Sequence, residues 1–189
     1  MIRVGDPGTK SDTITLEDLS ATAGFRTGRK HILSVLVENK PGVLTRVAGL
    51  FARRGFNIDT LVVGPTDDPA LSRITLTLDG ATHPIDQVTK QLHKLVNVLK
   101  IRDLEPEETI ARELAVFKVS ADAAARQEIM QFVQIFEARI IDVTKRSIII
   151  EVVGTAEKVS AFEKLVRPFG LIEMAQTGEI AIARGRSET

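Results

Sequence analysis

The residues best suited to chemistry in this sequence of 189 residues form one short stretch, Asn39-Lys-Pro-Gly-Val-Leu44. An apolar run precedes it and a segment of helical period follows it. The pattern therefore predicts a strand, a tight turn and a helix with Gly42 in its first turn. The first four amides of a helix have no acceptor within the helix, and a glycine leaves them open to a ligand. A carboxylate can bind such amides, and the helix dipole favours it by about 0.3–1 kcal/mol at an exposed site.

Two asparagines add side-chain amides to this predicted site. Asn39 can both donate and accept hydrogen bonds, which suits a zwitterion that carries a carboxylate and an ammonium group. Asn57 follows the predicted helix at an otherwise apolar strand entry. A second interpretation is equally good on the motif alone: Pro41 and Gly42 only mark the start of a helix, and Asn39 only caps it.

The rest of the sequence offers little for catalysis. His31, His83 and His93 have no partners at metal-ligand spacing, and we interpret them as scattered surface or half-buried imidazoles. Asp67 and Asp68 lie between two prolines, where aspartate accepts hydrogen bonds from the backbone of a turn. The sequence has no cysteine, no phosphate-binding loop, no dinucleotide fingerprint and no Gly-x-Ser-x-Gly. We therefore predict no catalytic residue, no metal site and no cofactor site in this chain.

The composition argues against several classes of protein. Lys and Arg (25) balance Asp and Glu (25), and a formal net charge of +0 disfavours binding to nucleic acid or to a membrane surface. No apolar run reaches the roughly 18 residues that cross a bilayer. Residues 1–29 lack the apolar segment of a signal peptide, and we expect them to form a mobile tail. The absence of cysteine fits a reducing compartment, so we expect a cytoplasmic protein.

The apolar pattern after the tail predicts an α+β fold made of two units. The first unit has strands over residues 31–37, 56–63, 71–78 and 96–101, with helices over 41–54 and from Pro84. This βαββαβ order gives a four-stranded antiparallel sheet with both helices on one face, the ferredoxin-like arrangement. The order recurs with strands over 114–119, 140–143, 148–153, 171–174 and 180–183 and two further helices.

The repeat predicts three regions along the chain: the tail over 1–29, a first unit over 30–106 and a second unit over 107–189. Units this small have cores that rarely contribute more than about 3–5 kcal/mol. Each also leaves one face of its sheet without cover from its own helices. We therefore expect that face to be buried against a second copy of the chain.

Several of these segments resemble a known family. The run Val37–Asp59, and the shorter segments 64–69, 91–99 and 140–144, closely resemble the small, regulatory subunit of acetolactate synthase. By this resemblance the first unit is an ACT domain, a module that binds amino acids between two copies. The second unit resembles the ferredoxin-like C-terminal domain of the same subunit.

The resemblance implies a regulatory role for a chain that is not an enzyme on its own. The large subunit of that enzyme, with thiamine diphosphate, magnesium and FAD, condenses two pyruvates, or pyruvate with 2-oxobutyrate. The reaction leads to valine, leucine and isoleucine. The small subunit raises the activity of the large subunit and confers feedback inhibition by valine or a related amino acid. The implied partners are a second copy, through the ACT domain, and the large catalytic subunit.

The resemblance also assigns residues to an effector site. Asn39 and Gly42 match the asparagine and glycine of the family's effector loop, and Asn57 matches an asparagine that reaches the effector across the dimer. The implied effector-binding residues are Asn39, Lys40, Pro41, Gly42, Val43, Leu44, Asn57 and Ile58. The second unit has Ser120-Ala-Asp122 where such a loop would lie, so we do not expect a second site of the same kind.

Two other functions are open to a chain with this pattern. One is a free-standing amino-acid sensor with paired ACT-like units that acts on another partner. The other is a small ferredoxin-like enzyme, which needs a convergent Arg, Asn or His site that the sequence does not offer.

Overall fold

The structure, a computed structural model, describes residues 30–79, 84–185 and 189. The expected tail over residues 1–29 and His83 lie outside the described residues. Within the described ranges the strands form two antiparallel sheets, one in each predicted unit. In the same ranges, no helix is both apolar enough and long enough to span a bilayer.

The first unit contains four strands and two helices in the predicted order. They are β1 (Lys30–Glu38), α1 (Val43–Arg54), β2 (Thr60–Pro65), β3 (Leu71–Asp79), α2 (Ile85–Leu92) and β4 (Val98–Leu104). The strand order in the sheet is β2-β3-β1-β4, so β1 pairs with β3 on one side and with β4 on the other. Both helices contribute to one apolar core on one face of the sheet, which confirms the ferredoxin-like prediction.

The core of the first unit explains the apolar periods of its sequence. In α1 the buried residues are Val43, Val47, Leu50 and Phe51, which share one face of the helix. Alternate residues of the central strands point into the same core. The buried strand residues are Leu33, Val35, Val37, Ile74, Leu76 and Leu78.

Three elements of the first unit begin two or more residues later than predicted. Helix α1 begins at Val43 rather than at residue 41, so Pro41 lies in the turn and Gly42 is the N-cap. Strand β2 begins at Thr60 because Gly55 ends α1 in a left-handed conformation and the chain needs residues 56–59 to enter the sheet. Strand β4 begins at residue 98 because the preceding residues form turns.

The second unit repeats this arrangement and adds one strand. Its elements are β5 (Thr109–Ser120), α3 (Ala123–Ile135), β6 (Arg139–Val143), β7 (Ser147–Gly154), α4 (Ala156–Val166), β8 (Leu171–Gln176) and β9 (Ile180–Ala183). The order β6-β7-β5-β8 matches that of the first sheet. Strand β5 begins five residues before the predicted strand because β9 pairs with its first four residues.

The connection between β8 and β9 packs against the first unit. A Cβ atom on Gly178 would lie 2.7 Å from Cγ2 of Val62 and 2.9 Å from Cβ of Thr60, both on β2. Thr77 of β3 donates a hydrogen bond from Oγ1 to Oε2 of Glu179 at 3.5 Å. The second unit therefore touches the face of the first sheet that lies opposite α1 and α2.

This contact corrects one expectation about the sheet faces. Three polar residues on the outward face of the first sheet are almost fully buried: Ser34, Thr75 and Thr77, at 2%, 3% and 1% exposure. We expected a second copy to cover this face, but the chain's own segment 177–183 covers part of it. A second copy is not needed at that part of the face.

Candidate functional site

The start of α1 is open, as a binding site for an anion requires. Gly42 is the N-cap in a left-handed conformation, with φ of 83°, which residues with a side chain rarely adopt. It provides no side-chain cap, and apart from its chain neighbours no atom of the described residues lies within 4 Å of the place where a Cβ would be. Within the described part of the chain the amides of Leu44 and Thr45 have no acceptor, whereas the Arg46 amide donates to the Gly42 carbonyl.

Asn39 fixes one side of the loop and does not cap the helix. Its side-chain Nδ2 donates to the Pro69 carbonyl at 3.0 Å, and its backbone amide donates to the Ala70 carbonyl at 2.7 Å. The interpretation of Asn39 as a helix cap is therefore wrong. The side-chain Oδ1 has no partner among the described residues, so it is the acceptor that Asn39 can offer to a ligand.

The turn between β2 and β3 holds the acceptors that Asn39 uses. Asp68 accepts a hydrogen bond from the Ala70 amide at 2.8 Å, and Thr66 Oγ1 donates to the Asp68 carbonyl at 3.0 Å. Asp68 is thus a turn residue, as its position between two prolines predicted. The turn and the loop are held together although about 30 residues of chain separate them.

The other side of the loop is fixed by three side chains, which we call the Glu38–Asn97–Arg46 network. Asn97, in the turn before β4, donates from Nδ2 to Oε2 of Glu38, at the end of β1. Arg46, in α1, donates from Nη1 to Oδ1 of Asn97 at 2.6 Å. Lys40, inside the loop, donates from Nζ to Oε1 of Glu38 at 2.9 Å.

These contacts set the charge beside the helix start. Hydrogen bonds from Lys40 and then Asn97 hold the pKa of Glu38 below its ordinary value, so this carboxylate stays ionised near neutral pH. Arg46 adds a second cation to this network, beside Lys40. The partial positive charge of the unpaired amides at the helix start favours an anionic ligand.

The predicted site residues fall into two places. Residues 39–44 form the loop and helix start, whereas Asn57 and Ile58 follow the other end of α1. A helix of twelve residues is about 18 Å long, so one chain does not bring Asn57 to the loop. Asn57 is exposed and donates to Asp59, and Ile58 packs against the core.

Two residues of the loop region also differ in what they can offer. The Val43 side chain is 5% exposed and belongs to the core. The Leu44 side chain is 43% exposed and provides apolar surface beside the free amides. Leu44 is therefore the better candidate for contact with an apolar ligand side chain.

Sequence reasoning missed the Glu38–Asn97–Arg46 network. Arg46 lies on the polar face of α1, which the sequence predicts to be solvated. Asn97 lies 59 residues after Glu38 in a segment without any local motif. No signal in a single sequence connects these residues, because only the pairing of β1 with β4 brings them together.

The second unit fills its corresponding helix start with its own carboxylate. Asp122 is the N-cap of α3, and its Oδ1 accepts from the amides of Ala124 at 3.0 Å and Ala125 at 2.8 Å. This is the carboxylate–amide contact that the start of α1 leaves open. It is the physical reason that a second site of the same kind is not expected.

Other features of the described residues lie away from this loop. A surface groove of about 370 Å³ follows α3 and is lined by residues of that helix alone. His31 pairs with Asp103, with 2.9 Å between Nδ1 and Oδ2. No three acidic or histidine side chains among the described residues come together as metal ligands.

Two protein-family models match the chain, one in each unit. Residues 33–100 match the model described as an AHAS small subunit-like ACT domain. Residues 112–185 match the model described as the small subunit of acetolactate synthase.

Curated relatives are similar along most of their length. The chain is 50% identical over 156 residues to the probable acetolactate synthase small subunit of Methanothermobacter thermautotrophicus, covering 82% of this chain and 93% of the relative. It is 48% identical over 155 residues to the acetolactate synthase small subunit of Mycolicibacterium smegmatis, covering 82% and 91%.

A solved structure is similar in fold as well as in sequence. The crystal structure of the acetolactate synthase small subunit from Thermotoga maritima matches with a TM-score of 0.78 and 44% sequence identity. The match covers 84% of this chain and 99% of that one, so it includes both units.

Proposed function

The chain belongs to the family of acetolactate synthase small subunits, and from this premise we propose that it activates a catalytic subunit and makes it sensitive to valine or another branched-chain amino acid. The catalytic partner is the thiamine-diphosphate-dependent large subunit. The observation that carries the effector half of the proposal is the open helix start at Gly42, in the unit that matches an ACT domain.

In this proposal the loop binds the polar part of the amino acid. The unpaired amides of Leu44 and Thr45 bind the carboxylate, which the positive end of the helix dipole favours. Oδ1 of Asn39 accepts a hydrogen bond from the ammonium group. The exposed side chain of Leu44 contacts the branched aliphatic group.

A second copy of the chain completes the site. Asn57 lies about one helix length from the loop of its own chain, so it contributes only if a second copy places its Asn57 beside the first copy's loop. This arrangement needs a homodimer through the ACT domain, which we include in the proposal. A ligand that touches both copies binds one arrangement of the dimer more tightly than another, and this difference is what regulates the partner.

The size of the regulation follows from this difference in binding. Allosteric coupling typically amounts to 1–3 kcal/mol, or roughly 5–150-fold in affinity. The small subunit needs no active site to produce an effect of this size. The free-standing-sensor alternative has no observation in its favour, because both units match acetolactate synthase small subunits.

Reconstitution tests the proposed function. The chain is mixed with an acetolactate synthase catalytic subunit, and the rate of acetolactate formation is measured while valine, leucine or isoleucine is added. We expect the chain to raise the rate and at least one of the three amino acids to lower it again. The catalytic subunit alone, titrated with the same amino acids, is the control. A chain that binds the catalytic subunit but confers no response to any of the three contradicts the proposal.

A further inference from the structure

The loop of residues 39–42 is held from two sides by elements distant in sequence. On one side Asn39 binds the turn between β2 and β3. On the other side Asn97 binds both the strand that enters the loop and the helix that leaves it. The position of the free amides relative to Oδ1 of Asn39 therefore depends on both attachments.

Asn97 makes three contacts with the flanks of the loop. Its backbone carbonyl accepts from the Glu38 amide at 3.0 Å, and its side-chain Nδ2 donates to the Glu38 carboxylate. Its Oδ1 accepts from Arg46 Nη1 at 2.6 Å. One amide side chain thus links the last residue of β1 to the first turns of α1.

The chemistry of this link suits an amide. The Glu38 carboxylate only accepts hydrogen bonds, and the Arg46 guanidinium only donates them. A side chain between them must both donate and accept, which asparagine does with two separate atoms. An aspartate at position 97 would keep the bond to Arg46 but face Glu38 with a second carboxylate.

The link also controls a charge close to the ligand position. Lys40 and Asn97 together bind both oxygens of the Glu38 carboxylate. Without Asn97 this carboxylate keeps only its bond to Lys40, so its position is less fixed. A shift toward the helix start would make it repel the carboxylate of an amino acid and compete for the unpaired amides.

We propose that Asn97 is a positioning residue that sets the affinity of the loop for its amino-acid effector by holding Glu38 and Arg46 at a fixed separation. The inference rests on the proposed function above. It adds a residue that acts through Glu38 and Arg46 and lies outside the effector set that the family resemblance implies.

Four proteins test this inference: the unchanged chain, Asn97→Ala, Arg46→Gln and the control Gln91→Ala. Gln91 accepts a hydrogen bond from Arg54 Nη2 at 3.2 Å, so it makes the same kind of contact at the opposite end of α1. Each protein is reconstituted with the catalytic subunit. Activation is measured without effector, and inhibition is then measured over a range of valine concentrations.

We expect Asn97→Ala and Arg46→Gln to raise the valine concentration for half-maximal inhibition by about ten-fold, equivalent to about 1.4 kcal/mol. The activation of the catalytic subunit, measured without valine, changes by a smaller factor. Gln91→Ala behaves like the unchanged chain. This separation of sensitivity from activation distinguishes a positioning residue from one that only stabilises the fold.

The variant Asn97→Asp provides a second readout that a purely structural role does not predict. Two carboxylates at this distance bind one shared proton more tightly than either alone. Valine affinity of this variant, measured by calorimetry on the full chain, therefore recovers toward low pH, where one of the two carboxylates takes up a proton. The unchanged chain shows a smaller recovery, because hydrogen bonds hold the pKa of its single carboxylate, Glu38, below the ordinary value.

Two results overturn the inference and leave the proposed function in place. One is an unchanged valine response in both Asn97→Ala and Arg46→Gln while the unchanged chain is inhibited. The other is an equal loss of activation and sensitivity together with a lower melting temperature in both variants. If the unchanged chain itself confers no response to valine, leucine or isoleucine, the proposed function fails and the inference fails with it.

Discussion

At the scale of single residues, the two units differ most at the start of their first helix. In the second unit Asp122 places its own carboxylate on the amides of Ala124 and Ala125. In the first unit Gly42 leaves the corresponding amides open and allows the backbone a left-handed conformation. One fold therefore contains both a filled and an unfilled version of the same anion site.

The first prediction concerns Gly42→Ala. The left-handed backbone makes a side chain cost about 1–2 kcal/mol, and the new Cβ stands beside the amides that we propose to bind the effector. We expect a lower free energy of unfolding, measured by denaturant titration, and a loss of inhibition by valine in the reconstituted enzyme.

Gly185→Ala is the matched control for this prediction. Gly185 has φ of 72° and lies at the end of the second unit. As at Gly42, no atom of the described residues beyond its chain neighbours lies within 4 Å of its Cβ position. The Gly185→Ala variant should lower the free energy of unfolding by about as much as Gly42→Ala does, and it should keep the valine response. Equal loss of the valine response in both variants would mean that stability alone explains the effect.

The sequence predicted part of this site and not the rest. Gly42 could be identified because a strand, a turn and a helix leave their pattern in neighbouring residues. The partner of Asn39 could not be identified, since the Pro69 carbonyl is a backbone atom about 30 residues away. The role of Asn97 was hidden for the same reason.

At the scale of helices and strands, apolar period predicted which elements form, and hydrogen-bond partners decided where they end. Strand β5 continues over residues 109–112 because β9 pairs with it there, although this stretch has little apolar period of its own. Strand β2 begins later than predicted, because Phe56 closes the end of α1 with a hydrogen bond to the Phe51 carbonyl. Local sequence does not indicate that β9 pairs with β5 or that the Phe56 amide binds the Phe51 carbonyl.

The second prediction concerns the connection between β8 and β9. In Gly178→Ala the new Cβ meets Val62 and Thr60, whose branched side chains have little freedom to move. We expect a loss of about 1–3 kcal/mol in the free energy of unfolding and faster hydrogen exchange in β9.

Gly64→Ala is the matched control, because Gly64 lies on β2 and, within the part of the chain that the structure describes, only its chain neighbours lie within 4 Å of its Cβ position. Hydrogen exchange in β9 of the Gly64→Ala variant should equal that of the unchanged chain. Slow exchange in β9 of Gly178→Ala would show that the contact between the connection and the first sheet contributes little.

At the scale of the whole molecule, the contact between the two units contains two acidic side chains in unusual surroundings. Burial raises the pKa of Glu113, which is 4% exposed and accepts a hydrogen bond from Gln176 at 2.8 Å. Burial also raises the pKa of Glu179, and the nearby charge of Glu113 raises it further. The charged groups around this pair are Lys30, which lowers both pKa values, and Glu157, which raises them.

The third prediction follows from the sign of these shifts. An acid with a raised pKa binds more protons in the folded chain than in the unfolded chain, so its contribution favours folding at low pH. That contribution is present below the ordinary value of 4.5 and is lost as the pH rises through the raised pKa. The contact between the units is therefore weaker at neutral pH than in mild acid.

Glu179→Gln tests this directly, because the amide keeps the shape of the side chain and removes the charge. We expect a higher melting temperature than that of the unchanged chain at pH 7.5, with a difference that shrinks toward pH 5. The control is Glu173→Gln, which removes an exposed acid from β8. If Glu179→Gln melts at a lower temperature than the unchanged chain at pH 7.5, the prediction is wrong.

In the proposed site, bare amides at the start of α1 bind the carboxylate of a branched-chain amino acid. A titration of the ¹⁵N-labelled chain with valine, in which the amide resonances are followed by NMR, tests this binding. We predict that the resonances of Leu44 and Thr45 move and saturate together, while those of Ala124 and Ala125, already bonded to Asp122, stay in place. Saturable binding of valine by calorimetry with no movement of Leu44 and Thr45 would contradict the claim.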